Sequence, residues 1–267
     1  MIQYLFLGRI GYAEALALQQ EMVELRHQGR IDNTLLLLEH PPVLTLGRNA
    51  SRANILATDE MLARKGVAVH EINRGGDVTY HGPGQLVGYP IFDLRSLKNS
   101  TGGRLGPVDY VRRMEEALIR LCAGYGVLTG RVQGRTGVWT NTVPGREKKI
   151  GAIGVHVSRG ITSHGFAFNL STDLRDFQWI VPCGIADREV TSLDLEIPDP
   201  EQLPTLEQLA DAAARHFGQV FDQQILALAD LDTLRHNLIE QVGVPIQVPD
   251  AVRRLIGDDA AEKPVRA

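Results

Sequence analysis

Apolar and polar positions alternate in two rhythms along this chain, and the switches between them predict most of its elements. Ile2 to Leu7 alternates loosely, as a short strand does. From Tyr12 to Arg26 the apolar residues Ala15, Leu16, Leu18, Met22, Val23 and Leu25 recur at helical spacing, which predicts a half-buried helix. Thr34 to Leu38 is an apolar run too short for a helix of usual length, so a buried strand is expected. His40-Pro41-Pro42 breaks it, and Val43 to Leu46 resumes extended. A helix over Asn54–Arg64 and a strand over Val67–Ile72 follow. Four glycines and a proline between Arg74 and Gln85 then exclude a helix, and Leu86 to Phe92 reads as a strand.

Arg95 to Gly106 is polar and glycine-containing, which predicts a mobile surface loop. Val111, Met114, Leu118, Leu121, Cys122 and Tyr125 make a helical stripe over Val108–Tyr125, stopped by Gly126. Gly137 to Thr140 is expected as a strand, and Ile150–Val157 and Thr162–Leu170 as paired strands across the Ser158-Arg159-Gly160 turn. Pro198 to Pro204 reads as a linker-like loop. Helices over Leu206–Leu228 and Leu231–Val242 follow, and the polar stretch from Gly257 to Ala267 is expected to fray. Strands in succession with a few interspersed helices predict an α+β fold, a mixed sheet flanked by helices. Residues 1–245 are expected to form a single domain, and 246–267 a partly disordered C-terminal tail.

Composition narrows the function classes. With 267 residues, 43% of them hydrophobic and 22% charged, the chain can bury a large core. A net charge of −4 offers no electrostatic footprint for nucleic acid. No segment approaches the roughly 18 uninterrupted apolar residues of a membrane span. The first twenty residues lack the basic and apolar regions of a signal peptide. Two cysteines, Cys122 and Cys183, make neither a disulfide framework nor a metal site, which suits a reduced, cytoplasmic setting with no metal. No repeat and no exposed apolar heptad stands out, so a monomer is expected.

Chemistry concentrates between Lys149 and Cys183. Cys183 lies between Pro182 and Gly184, a turn-like setting that could present its thiol to a cavity. A nucleophilic thiol needs a nearby cation or helix terminus to lower its pKa from about 8.5. Cys122, on the apolar stripe of its helix, reads as inert core. Lys149 opens a strand of Ile, Gly and Ala, so it can point inward while Lys148 points out. Either an inward ammonium could stabilise the thiolate, or a desolvated amine could take the thiol proton. His81 and His164, each beside glycine, are rival bases, and spacing alone ranks Cys/His and Cys/Lys pairs equally. Arg74-Gly75-Gly76 suggests phosphate but is neither a Walker A sequence nor G-x-G-x-x-G.

The order of the motifs is more specific than any one of them. Arg74-Gly75-Gly76-Asp77-Val78-Thr79-Tyr80-His81-Gly82-Pro83-Gly84-Gln85-Leu86-Val87 is followed by Lys149-Ile150-Gly151. Ser163-His164-Gly165-Phe166-Ala167-Phe168-Asn169 and Pro182-Cys183-Gly184 come next. From about Leu35 to Leu195 the chain resembles the lipoyl(octanoyl) transferases of lipoic acid biosynthesis. The resemblance implies the single domain shared with biotin and lipoate protein ligases, and no cofactor. It implies octanoyl-acyl carrier protein as donor. The implied acceptors are lysines on lipoyl domains of 2-oxoacid dehydrogenase subunits and on the glycine-cleavage H protein. Cys183 would carry the acyl thioester and Lys149 would lower its pKa. Substrate contacts would come from Arg74, Gly75, Gly76, Asp77, Val78, Thr79, Tyr80 and His81, from Ala152, Ile153 and Gly154, and from Gly165, Phe166 and Ala167. The alternatives are an ATP-dependent lipoate or biotin protein ligase, which needs no Cys183, a thioesterase, and a non-catalytic binding protein, which needs neither Cys183 nor Lys149.

Overall fold

The computed structural model describes residues 1–99, 101–140, 145–181 and 189–234. In chain order the elements are β1 (Ile2–Arg9), α1 (Tyr12–His27), β2 (Asn33–Glu39), β3 (Val43–Leu46), α2 (Asp59–Arg64), β4 (Ala68–Glu71), β5 (Val78–His81) and β6 (Gln85–Ile91). Then come α3 (Pro107–Gly124), β7 (Thr129–Val132), β8 (Arg135–Thr140), β9 (Lys148–Ser158), β10 (Ile161–Asn169), α4 (Leu193–Glu196), α5 (Leu206–Phe221) and β11 (Ile225–Ala227). Among the described residues, eight strands form one mixed sheet in the order β11-β1-β2-β6-β10-β9-β8-β7, and β4-β3-β5 form a second, small sheet.

Alternation along β2 explains why its sequence is apolar without interruption. Leu35 and Leu37 face a core built with α3 and α5, while Leu36 and Leu38 face a second core under α1. A strand covered on both faces has no polar side to show. The small sheet has its own core, where Leu44, Leu46, Val78 and Tyr80 meet Leu62 of α2 and Ile180. No helix among the described residues is long and apolar enough to cross a membrane.

Several sequence expectations are corrected. The helix expected over Asn54–Arg64 starts only at Asp59, where the Thr58 hydroxyl accepts the Met61 N–H; Arg52–Asn54 is a separate 3₁₀ turn capped by Ser51. The helix begun at Leu206, with a Thr205/Gln208 capping box, ends at Phe221 instead of Leu228. Asp222 turns left-handed there (φ 53°), and residues 225–227 become an edge strand parallel to β1. The loop from Arg95 is fastened down: Leu97 and Leu105 are buried, and Asn99 and Gly103 are hydrogen-bonded across it. Residues 231–234 begin the last expected helix; the rest of it and the boundary expected at 245 lie outside the described residues.

Gly88 on β6 is closed on its α3 side by the Phe166 ring of β10. A Cβ at Gly88 would stand 2.2 Å from Phe166 Cε1, and Phe166 is stacked on Phe217 of α5, with ring centroids 5.4 Å apart. Gly88→Ala is expected to cost about 1–3 kcal/mol of stability through overpacking. Urea denaturation measures it, and an unchanged midpoint would refute this packing account.

Candidate active site

A cavity of about 380 Å³ opens where the two sheets meet, between α1, the Arg74–His81 segment and strands β6, β8, β9 and β10. Arg74, Gly75, Gly76, Asp77, Val78, Thr79 and His81 line it, with Lys149, Ala152, Ile153, Gly154, Gly165, Phe166 and Ala167. Tyr80 does not. Alternation along β5 turns it into the small core, where its hydroxyl donates to Asp176 (2.6 Å). Cys183 lies outside the described residues.

The Arg74 segment is held against β9 by backbone approach. Gly75 N–H donates to Val155 O (2.9 Å), and a Cβ at Gly154 would stand 2.8 Å from Gly75 O. Only glycine at 154 permits this contact. The Arg74 guanidinium turns inward, donating to Thr45 O (2.8 Å), Thr45 Oγ1 (3.0 Å) and Gly75 O (3.0 Å). Its immediate work is to fix the loop. On β9 and β10, Ala152 faces Ala167 and Gly154 faces Gly165, so small residues pair across the two strands.

The histidines separate. His81 is saturated: Nδ1–H donates to Gln85 Oε1 (2.8 Å) and Nε2 faces the Thr45 hydroxyl (3.4 Å). From Gln85 the chain of bonds continues through Nε2 to Asn169 Oδ1 (2.9 Å), and from Asn169 Nδ2 to Thr191 O (2.9 Å). Burial, reinforced by His40, drives the His81 imidazole down to about 3. His164, left-handed at φ 55°, donates its backbone N–H to Gln19 Oε1 (2.8 Å) and Nε2–H to Asn73 Oδ1 (2.7 Å). Its Nδ1 is buried without a hydrogen-bond partner among the described residues, and burial brings the ring down to about 4. Burial keeps both rings neutral near neutral pH, and they differ in their bonding: both nitrogens of His81 are engaged, whereas His164 is held through Nε2 alone.

Lys149 points inward as its place on β9 predicts, while Lys148 reaches out to Glu189 (3.5 Å). Its ammonium lies 4.6 Å from the centroid of the Trp139 ring. The Lys149 peptide group also holds the chain at 189–191: Lys149 N–H donates to Glu189 O (2.9 Å), and Thr191 N–H donates to Lys149 O (2.9 Å). At 181, Val181 N–H donates to Asn54 O (2.8 Å), and Asn54 Nδ2 donates to Asp77 Oδ2 (2.7 Å). Cys122 is core as expected, with burial pushing its thiol up to about 12.

Sequence reasoning missed Tyr12, His40, Tyr89 and Trp139. Tyr12 looked like the first residue of an amphipathic helix, but its ring lines the cavity, stacked on His81 at 6.2 Å and beside His40 at 5.1 Å. His40 donates Nδ1–H to Ile10 O (2.9 Å) and accepts from the Tyr89 hydroxyl at Nε2 (2.7 Å); burial lowers it to about 4. A histidine ending an apolar strand before two prolines was the available signal.

The family described as lipoyl protein ligase A/B catalytic domain matches residues 11–218. An octanoyltransferase of Acidobacterium capsulatum is 67% identical over 232 residues, 85% of this chain and 93% of that protein. An octanoyltransferase of Koribacter versatilis is 52% identical over 259 residues, 97% and 98% of the two chains. Among solved structures, a bipartite lipoate protein ligase of Thermoplasma acidophilum superposes with a TM-score of 0.66 at 15% identity, over 93% of this chain and 94% of that one. Lipoate-protein ligase A bound with ATP gives 0.65 at 14% identity, over 90% and 94%. These two likenesses bear on the fold alone.

The three neutral histidines set a pH dependence. Their folded pKa values, about 3 to 4, lie below the ordinary 6.5, so between those limits the unfolded chain binds more protons. Their contribution to stability is complete above pH 6.5 and is lost as pH falls toward 4. Denaturation midpoints are expected to drop across that window, with a shallower fall for His81→Asn. Equal slopes for the two proteins would contradict a neutral, buried His81.

Proposed function

Because the chain belongs to the lipoyl protein ligase A/B catalytic-domain family, and within it to the octanoyltransferases, we propose that it moves an octanoyl group from octanoyl-acyl carrier protein to a lysine of a lipoyl domain through a thioester on Cys183. The acceptors are lipoyl domains of 2-oxoacid dehydrogenase subunits and the glycine-cleavage H protein. The enzyme is cytoplasmic, where a catalytic thiol stays reduced. The observation that carries the reading is Lys149: its amine enters the cavity that gathers the Arg74, Ala152 and Gly165 segments. Its peptide group meanwhile binds Glu189 and Thr191, six and eight residues after Cys183.

The two steps balance as follows. The Cys183 thiolate attacks the donor carbonyl, a new S–C bond forms, and the carrier thiolate leaves and takes a proton from the Lys149 ammonium. The acceptor amine then attacks the thioester, a C–N bond forms, the bond to Cys183 breaks, and the proton lost by the amine returns to Lys149. Exchange between thioesters is nearly neutral, and amide formation draws the sequence forward. Main-chain N–H groups of the glycine-rich segments are suited to stabilising the oxyanion of each step. The cross-strand pair Ala152/Ala167 presents only methyl groups to the cavity, which leaves room for an alkyl chain. Each buried methylene contributes about 0.8 kcal/mol, so a medium chain is favoured over a short one.

An ATP-dependent ligase shares the fold, but the relatives covering most of the chain are octanoyltransferases. Intact-protein mass after brief incubation with octanoyl-acyl carrier protein, without ATP, separates the readings. Wild type is expected to gain one octanoyl group and Cys183→Ala none, while Lys149→Met slows the gain by about 10²–10⁴-fold, the range of a lost acid–base group. Transfer to a lipoyl domain only when ATP and free octanoate are supplied would favour the ligase.

A further inference from the structure

We propose that the face of Trp139 is the seat of the Lys149 ammonium, making Trp139 a positioning residue for the acyl transfer; the inference rests on the reading of Lys149 as the proton-handling partner of Cys183. Trp139 and Lys149 are direct cross-strand partners on β8 and β9, beside a register shift between Val138 and Trp139. The shift skips Ile150 on β9 and so brings Lys149 opposite Trp139, while alternation along β8 turns Val138 and Trp139 to opposite faces. Val138 is buried in the core with α3, while the Trp139 ring lines the cavity with the lysine Nζ 4.6 Å from its centroid. A cation at that distance is attracted by the ring quadrupole, and more strongly where water is scarce. Trp139 is only 3% exposed, so its ring face is fixed.

Two further features make room for the pair and aim it. Gly137, two residues earlier on β8, has φ 123°, and a Cβ there would stand 2.6 Å from Gly151 O and 3.3 Å from Lys149 Cε. The absent side chain is what lets the lysine stem pass. Gly137 N–H donates to Glu115 Oε1 (3.0 Å), and the Glu115 carboxylate is fully buried, accepting Arg112 (2.7 Å) and Arg131 (3.0 Å) as well. Helix α3 thereby pins β8 at the residue beside the lysine stem. The indole N–H is buried without an acceptor among the described residues, so the contribution assigned to Trp139 here is its π-face.

The test keeps the shape of the ring and changes its charge distribution. The chain has two tryptophans, so in a Trp179→Phe background fluorinated tryptophans enter only at position 139. Successive fluorination drains the ring face with little change in volume. The readout is the rate of Cys183 alkylation by iodoacetamide, located by mass, together with single-turnover acylation from octanoyl-acyl carrier protein. Both rates are expected to fall stepwise, by about tenfold across the series, the factor for an interaction of about 1.4 kcal/mol. Melting temperature is expected to fall by only about 3–6 °C, so that the protein stays folded in both assays, and Trp139→Phe to retain more activity than Trp139→Leu. Rates independent of fluorination, with Lys149→Met still slow in both assays, would overturn the seat and leave the Cys183/Lys149 reading standing. If Lys149→Met alkylates and acylates like wild type, the underlying reading itself fails.

Discussion

The site depends on one close approach: the Arg74-Gly75-Gly76 segment lies directly on β9, with Gly75 N–H bonded to Val155 O and no room for a side chain at Gly154. This contact joins the small sheet to the large one. Without it, the cavity would have a floor of paired small residues and no wall facing them. Arg74 reinforces the join from inside, spending its guanidinium on Thr45 and Gly75 carbonyls. A motif that suggests a phosphate grip in sequence is here a structural clasp for the site.

Around that join, buried polar groups are used to fix positions. The bonds from His81 through Gln85 and Asn169 end on the carbonyl of Thr191, whose N–H is bonded to Lys149. A neutral network of this kind avoids the cost of burying charge while holding several segments at fixed separation. The cation that the proposed chemistry needs is left to Lys149, at the cavity, against an aromatic face.

Much of this was legible in sequence, for identifiable reasons. The apolar run of β2 betrayed a strand covered on both faces, and alternation at the start of β9 separated Lys149 from Lys148. What stayed hidden was set by partners distant in the chain. The ring environments of His81 and His164 come from residues the spacing does not connect to them: Gln85 and Thr45 hold the two nitrogens of His81, and Asn73 holds Nε2 of His164. Trp139 became interpretable only once a register shift put it opposite Lys149. Helix ends failed where the stop lacked glycine: Asp222 takes the left-handed turn that ends α5, and nothing in Phe221-Asp222-Gln223 announces it.

The small edge strand that follows that turn has a kinetic consequence. Ile2 pairs with Ile225, so the first strand of the sheet receives its outer neighbour from near the far end of the described chain. Such a contact carries a high loop-closure cost and raises the contact order of the fold. At ordinary elongation rates of ~5–20 residues per second, β1 waits on the order of ten seconds or more on the ribosome with one edge bare. During that interval its row of unpaired backbone groups is open to pairing with a neighbouring nascent chain, a hazard that closes only when β11 is added.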